Sequence, residues 1–124
     1  MKILIVDDDK VVASMVEAIL TRENYRVQTA EDGEVGYAAY LQFEPDLVIT
    51  DIDMPRKDGF ALMKDIRSHN PGIRTIYMSA NVDRFRPQLK NEQTRHSIEV
   101  LNKPFTRKEL LTLLSDHRTR SASP

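Results

Sequence analysis

The sequence contains no cysteine, which removes disulfides, thiolate metal sites and thiol nucleophiles from consideration. It has no apolar run long enough to cross a bilayer. Its N-terminal run, MKILIV, is short and passes straight into acids, so it does not read as a signal peptide. An excess of charge is missing too: 18 Lys and Arg against 19 Asp and Glu leave a net charge of −1, without the basic balance of a nucleic-acid footprint. These absences predict a cytoplasmic protein with no membrane contact and no direct contact with nucleic acid. What is present is an ordinary globular composition, 40% hydrophobic and 30% charged, in 124 residues, enough for one domain with a single core.

Short apolar runs alternate with longer segments of helical spacing, the rhythm of an α/β fold. Residues 2–6 form a β-branched run suited to a strand covered on both faces. A helix follows in which Val11, Val12, Met15, Val16, Ile19 and Leu20 face inward, broken at Asn24. Residues 26–29 predict a second strand, and 33–43 a second helix with Val35, Ala38, Ala39 and Tyr40 inward, stopped by Pro45. Residues 47–50 are a buried run. Asp58 caps a third helix whose inner face is Leu62, Met63 and Ile66, and Pro71-Gly72 turns the chain into a strand over 73–78. Val100 and Leu101 mark a short fifth strand. The last helix opens with a capping box, Thr106-Arg107-Lys108-Glu109, with Phe105 and Leu110 as its hydrophobic staple and Leu111 and Leu114 inward. Between Asn81 and Ile98 the chain is polar and lacks an apolar stripe, which predicts a short or mobile fourth helix. The domain is expected to span 1–117, with 118–124 a flexible tail or the start of a linker.

The stretch IVDDDK raises the main chemical question, because three adjacent carboxylates repel one another and call for a counter-ion or for water. In a parallel sheet with right-handed crossovers all strands end at one rim, where ligands bind. Here the first strand ends in Asp7-Asp8-Asp9, the third in Asp51-Ile52-Asp53, the fourth in Ser79-Ala80-Asn81 and the fifth in Asn102-Lys103-Pro104. An acidic cluster, a hydroxyl and an ammonium therefore converge. Carboxylates without His or Cys suit Mg²⁺, which keeps sites open for phosphate oxygens. A carboxylate can also serve as the nucleophile that forms an aspartyl phosphate, with a Lys and a hydroxyl steadying the phosphoryl oxygens. Asp9 and Asp58 read as helix starts, Met54 and Pro55 as loop geometry, and His69, His96 and His117 as solvated.

Four ordered motifs, IVDDD, DLVITDIDMPRKDG, YMSAN and LNKPF, resemble the receiver domain of two-component response regulators over almost the whole chain. The resemblance implies a single (βα)5 flavodoxin-like domain with a doubly wound parallel five-stranded sheet in the order 2-1-3-4-5, an order that is general for this fold type. It implies Asp51 as phosphoacceptor, Asp8 as a direct Mg²⁺ ligand, Asp7 as an acid holding the metal through water, and Asp53 as a ligand through its backbone carbonyl. Ser79 matches the switch hydroxyl and Lys103 the lysine that pairs with the phosphoryl group, with a cis bond before Pro104. Asp53 and Asn81 match positions that tune phosphoryl loss. The implied donor is a sensor histidine kinase or histidine phosphotransfer protein and the implied output is binding of a downstream protein target, with a phosphorylation-dependent dimer left open. Such a domain is a phosphoacceptor and not a turnover enzyme. Two features depart from the pattern: Val100 stands where receivers carry a switching aromatic, and the segment 81–97 lacks the usual small residues.

Two rival readings remain. Asp51-x-Asp53 also fits the DxD of haloacid-dehalogenase-type phosphatases, but the motif order is reversed and no cap domain fits in this length. A degenerate receiver acting as a phosphate-independent interaction module would keep the fold and lose the chemistry; the complete set of site residues argues against it.

Overall fold

The computed structural model describes the backbone of residues 1–122 and the side chains of residues 1–115. Five strands, β1 (Lys2–Val6), β2 (Arg26–Ala30), β3 (Leu47–Asp51), β4 (Arg74–Ser79) and β5 (Ile98–Asn102), form one sheet. Their order is β2-β1-β3-β4-β5, and all neighbours are parallel. This is the doubly wound flavodoxin-like architecture expected from the sequence. The connecting helices are α1 (Lys10–Arg22), α2 (Gly33–Phe43), α3 (Gly59–Arg67), α4 (Arg86–Gln93) and α5 (Arg107–Ala122), with a 3₁₀ turn, Val82–Phe85, leading into α4. The backbone of α5 thus stays helical past residue 117, where the sequence predicts the domain to end, while residues 123 and 124 and the His117 side chain lie outside the described residues.

The sheet divides two apolar layers. On one face Ile3, Ile5, Ile49 and Met78 pack against Val16 and Leu20 of α1 and Leu110 and Leu114 of α5. On the other, Leu4, Val6, Val48 and Tyr77 pack against α2, α3 and Leu89 of α4. Helix ends follow the local chemistry of the sequence. Asp9 accepts hydrogen bonds from the Val11 and Val12 amides, and Asp32 and Asp58 cap α2 and α3 in the same way. Asn24 takes the left-handed conformation just beyond α1, with φ 67°. The box at α5 is complete: the Thr106 amide donates to the Glu109 carboxylate and the Glu109 amide to the Thr106 hydroxyl.

Two helix faces differ from the sequence reading. In α1, Val11 and Met15 are exposed and Ala13 is buried; the apolar stripe is wider than the surface the sheet can cover. In α2, Val35 is exposed and Ala38 faces solvent, while Gly33, Gly36, Ala39 and Tyr40 are buried. A Cβ on Gly36 would come within 3.1 Å of the Val6 methyls, so the close approach of helix and sheet selects the face with the smallest residues. Of the histidines read as solvated, His69 is exposed and His96 is not fully so. The exposed His69 takes a 2.6 Å hydrogen bond with the Tyr37 hydroxyl, and His96 is half-buried beside Arg67, burial first and that positive charge second holding its pKa below the ordinary value.

Helix α4 forms despite its polarity. Leu89 is its single buried residue, and polar ties supply the rest: Glu92 accepts from the Tyr77 hydroxyl at 2.5 Å and from Arg67 at 2.9 Å. Arg67 also donates to Thr75. The Arg67 side chain is 7% exposed and that of Glu92 16%, so removing one partner strands a buried charge. Glu92→Ala should therefore destabilise the domain by roughly 3–5 kcal/mol in urea unfolding. Asp83→Ala, which breaks an exposed pair with Arg86 on the same segment, should cost less than about 1 kcal/mol.

Candidate phosphoacceptor site

The carboxyl rim of the sheet carries the polar groups that the sequence scatters along the chain. Parallel pairing sets Val6 beside Thr50, Asp51 beside Met78 and Ser79 beside Asn102, so the residues after each strand emerge side by side. Carboxylate oxygens of Asp7, Asp8 and Asp51 lie within 4.8 Å of one another. Asp7 is 1% exposed and Asp51 7%, whereas Asp8 faces solvent. The Lys103 ammonium donates to Asp7 at 2.8 Å and stands 3.5 Å from Asp51. Its neighbour bond, Lys103–Pro104, is cis. The Lys103 amide donates to the Ser79 carbonyl at 2.8 Å, which fixes the lysine's strand end to the serine's.

Three carboxylates against one ammonium leave two negative charges uncompensated. The consequence falls on Asp51: burial first, then the negative charge of Asp7, with a smaller share from Asp8, push its carboxyl up to about 6 even though Lys103 acts the other way. For Lys103, burial favours the neutral form, but the Asp7 hydrogen bond and the Asp51 charge outweigh it and the pKa rises. The donor set fits a hard divalent cation: oxygen ligands only, no nitrogen or sulfur, one side open to water at Asp8, and an excess of charge equal to the cation's own.

Beside the acids lies a cleft of about 230 Å³ with Asp51, Ser79 and Lys103 in its lining, joined by Asp53, Ala80, Asn81, Arg84 and Phe85. The Ser79 hydroxyl accepts a 2.9 Å hydrogen bond from the Asn81 amide. Asp53 stands on the rim with its side chain 71% exposed, 3.6 Å from Arg84. Val100 sits half-buried against the α2–α4 side of the core. The fold therefore brings Asp7, Asp8, Asp51, Asp53, Ser79, Asn81 and Lys103 to one place, while Asn102 and Val100 line a different hollow beside α5. It adds Arg84 and Phe85, which sequence reasoning missed because their segment has no period; their place five and six positions after the end of β4 was the available signal. It also adds Gly59, since any Cβ there would collide with the Asp51 carbonyl oxygen.

The family model for the response regulator receiver domain matches residues 3–115. The chain belongs to that family. It is 33% identical over 126 aligned residues to the DNA-binding transcriptional regulator NtrC of a Bradyrhizobium strain, a match covering 98% of this chain and 26% of the relative. The probable transcriptional regulatory protein TcrX of Mycobacterium tuberculosis is 31% identical over 90% of this chain and 47% of its own length. The receiver thus spans about a quarter to a half of these curated relatives. Among solved structures, the chemotaxis protein CheY4 of Vibrio cholerae superposes with a TM-score of 0.84 at 27% identity, covering 93% of this chain and 96% of that one. The receiver domain of the Pseudomonas aeruginosa sensor histidine kinase PA1611, solved with magnesium in its active-site cleft, gives 0.79 at 27% identity over 93% of this chain and 94% of its own.

The crowding of charge at Asp51 predicts a pH-dependent gain on neutralising it. The folded state holds this proton more tightly than the unfolded chain, so stability falls as pH rises from 3.8 to about 6 and the penalty is complete above that. In metal-free buffer, Asp51→Asn should stabilise the domain at pH 7 by up to about 3 kcal/mol in urea unfolding. The advantage should vanish below pH 4 and shrink when Mg²⁺ is added; a variant no more stable than wild type at pH 7 would contradict it.

Proposed function

We propose that this receiver takes a phosphoryl group onto Asp51, in the cytoplasm, from a sensor histidine kinase or a histidine phosphotransfer protein. The observation that carries the reading is the placement of the Asp51 carboxylate, buried at the end of β3, within 4.8 Å of the oxygens of Asp7 and Asp8 and 3.5 Å from Lys103. An Asp51 carboxylate oxygen attacks the phosphorus, the bond from phosphorus to the donor imidazole nitrogen breaks, and that nitrogen keeps the electron pair. The nucleophile must be ionised, and a pKa pushed up to about 6 leaves it so at neutral pH. Asp7, Asp8, Asp51 and the Asp53 backbone carbonyl would hold Mg²⁺, which would supply the positive charge that three carboxylates and a phosphoryl group need. Lys103 keeps its ammonium for the phosphoryl oxygens.

Ser79 offers its hydroxyl to the same oxygens. To reach them it gives up the hydrogen bond from the Asn81 amide, which loosens the start of the turn leading to α4. Asp53 and Asn81 flank the cleft and set how water reaches the phosphorus. Output runs through the surface of α4, β5 and α5, where Val100 stands in place of an aromatic on β5. Altered binding of a downstream protein, or a dimer, is the consequence, by a shift between two arrangements of that surface. Because the curated relatives extend well beyond the receiver, the output of the whole protein depends on what accompanies it.

Intact mass after incubation with a small-molecule phosphodonor and Mg²⁺ tests the proposal. Wild type should gain one phosphoryl group, and Asp51→Asn or removal of Mg²⁺ should abolish the gain. A folded wild type that binds Mg²⁺ and gains no mass would favour the phosphate-independent module instead.

A further inference from the structure

The 3₁₀ turn, Val82–Phe85, hangs from the site. Its leading residue, Asn81, donates to the Ser79 hydroxyl at 2.9 Å, and the Arg84 amide donates to the Asn81 carbonyl at 3.2 Å. That turn carries a cation to the mouth of the cleft. Arg84 lines the same 230 Å³ space as Asp51, Ser79 and Lys103, with its guanidinium 5.2 Å from the centre of the Phe85 ring. Its anionic partner is Asp53, 3.6 Å away, in a pair whose side chains are 64% and 71% exposed. Such a pair is held weakly and is cheap to break.

The charge count says what the arginine is for. Before transfer, a divalent cation would balance the two excess negative charges of Asp7, Asp8 and Asp51 against Lys103. After transfer the Asp51 carboxylate becomes an acyl phosphate carrying close to two negative charges, and one is again uncompensated. The single positive charge of Lys103, bonded to Asp7 and next to Asp51, is already counted in that balance. Among the described residues lining the cleft, Arg84 is the remaining cation. A guanidinium offers two parallel N–H donors to phosphoryl oxygens, a stronger contact than a long ion pair exposed to water.

We propose that Arg84 is a phosphoryl-contacting residue, which leaves Asp53 and closes over the phosphoryl group on Asp51, with Phe85 as the platform on which the guanidinium turns. This rests on the phosphoacceptor reading above. It adds a second cation to the site and makes the turn ahead of α4 a direct sensor of the phosphoryl charge.

Beryllofluoride, a stable mimic of the phosphoryl group, tests it by calorimetric titration of the full chain at saturating Mg²⁺. Arg84→Ala should weaken beryllofluoride affinity about tenfold, or ~1.4 kcal/mol, with Mg²⁺ affinity measured alone not reduced. Arg84→Lys should fall between the two, since it keeps the charge and loses the fork. Asp53→Ala should tighten the mimic, because Arg84 then has no partner to leave. Wild-type binding that Arg84→Ala leaves unchanged within twofold overturns the role of Arg84 alone. An equal loss of Mg²⁺ affinity in Arg84→Ala also overturns it, by assigning the effect to the metal site. A wild type that binds Mg²⁺ but no beryllofluoride sinks the phosphoacceptor reading and this inference together.

Discussion

The organising constraint of this domain is electrostatic: Asp7, Asp8 and Asp51 share one small volume, and Lys103 compensates only one of them. A chain seeking stability alone would separate these acids. Here the parallel sheet forces them together, because β1 and β3 are neighbours and both end at the same rim. The cost is visible at Asp51, whose carboxyl is pushed up to about 6, and the surrounding structure bears it with two apolar layers in which strand residues such as Ile3, Leu4, Ile49 and Ile76 are fully buried. Rigid strands hold the charges and polar loops adjust to them.

Much of the fold was legible because its signals are local. The continuous β-branched runs gave the strands, and the acid or threonine caps at Asp9, Asp58 and Thr106 gave the helix starts within a residue. Strand order did not come from periodicity; it followed from the family resemblance. The site was legible for a related reason: residues at strand ends must share an edge once the sheet is parallel, so Asp8, Asp51, Ser79 and Lys103 could be grouped without knowing their distances. The inner faces of α1 and α2 were less legible. Hydropathy ranks Val11 and Val35 above Ala13 and Gly36, yet closeness of approach to the sheet decides burial, and that is a property of the packed pair. The surroundings of Arg84, Phe85 and Glu92 were the least legible, since their partners, Asp53, Phe60, Arg67 and Tyr77, come from other elements of the chain.

Helix α4 shows how a segment with almost no apolar face can still be specific. Leu89 contributes one buried side chain, and the three-way contact of Glu92 with Tyr77 and Arg67 supplies position. Tyr77 stacks near Phe60 with ring centres 5.0 Å apart, and Phe60 meets Phe85 at 6.0 Å. One aromatic layer therefore extends from the cleft to the far end of α4. An element attached by directional polar bonds has few alternative placements, whereas one attached by a greasy stripe can slide. Val100, a shape without a polar end, sits beside this layer and leaves the tyrosine on β4 as its hydrogen-bonding member.

Gly59 gives the site a mechanical direction. Its amide donates to the Ile52 carbonyl at 2.8 Å, and its bare α-carbon lies against the Asp51 carbonyl with no room for another atom. The start of α3 thus backs the end of β3 closely: were bulk and charge added to the Asp51 side chain, the backbone behind it would have no room to recoil. The free side is the cleft toward β4 and the turn after it, so any displacement set off at Asp51 would be directed to that one flank.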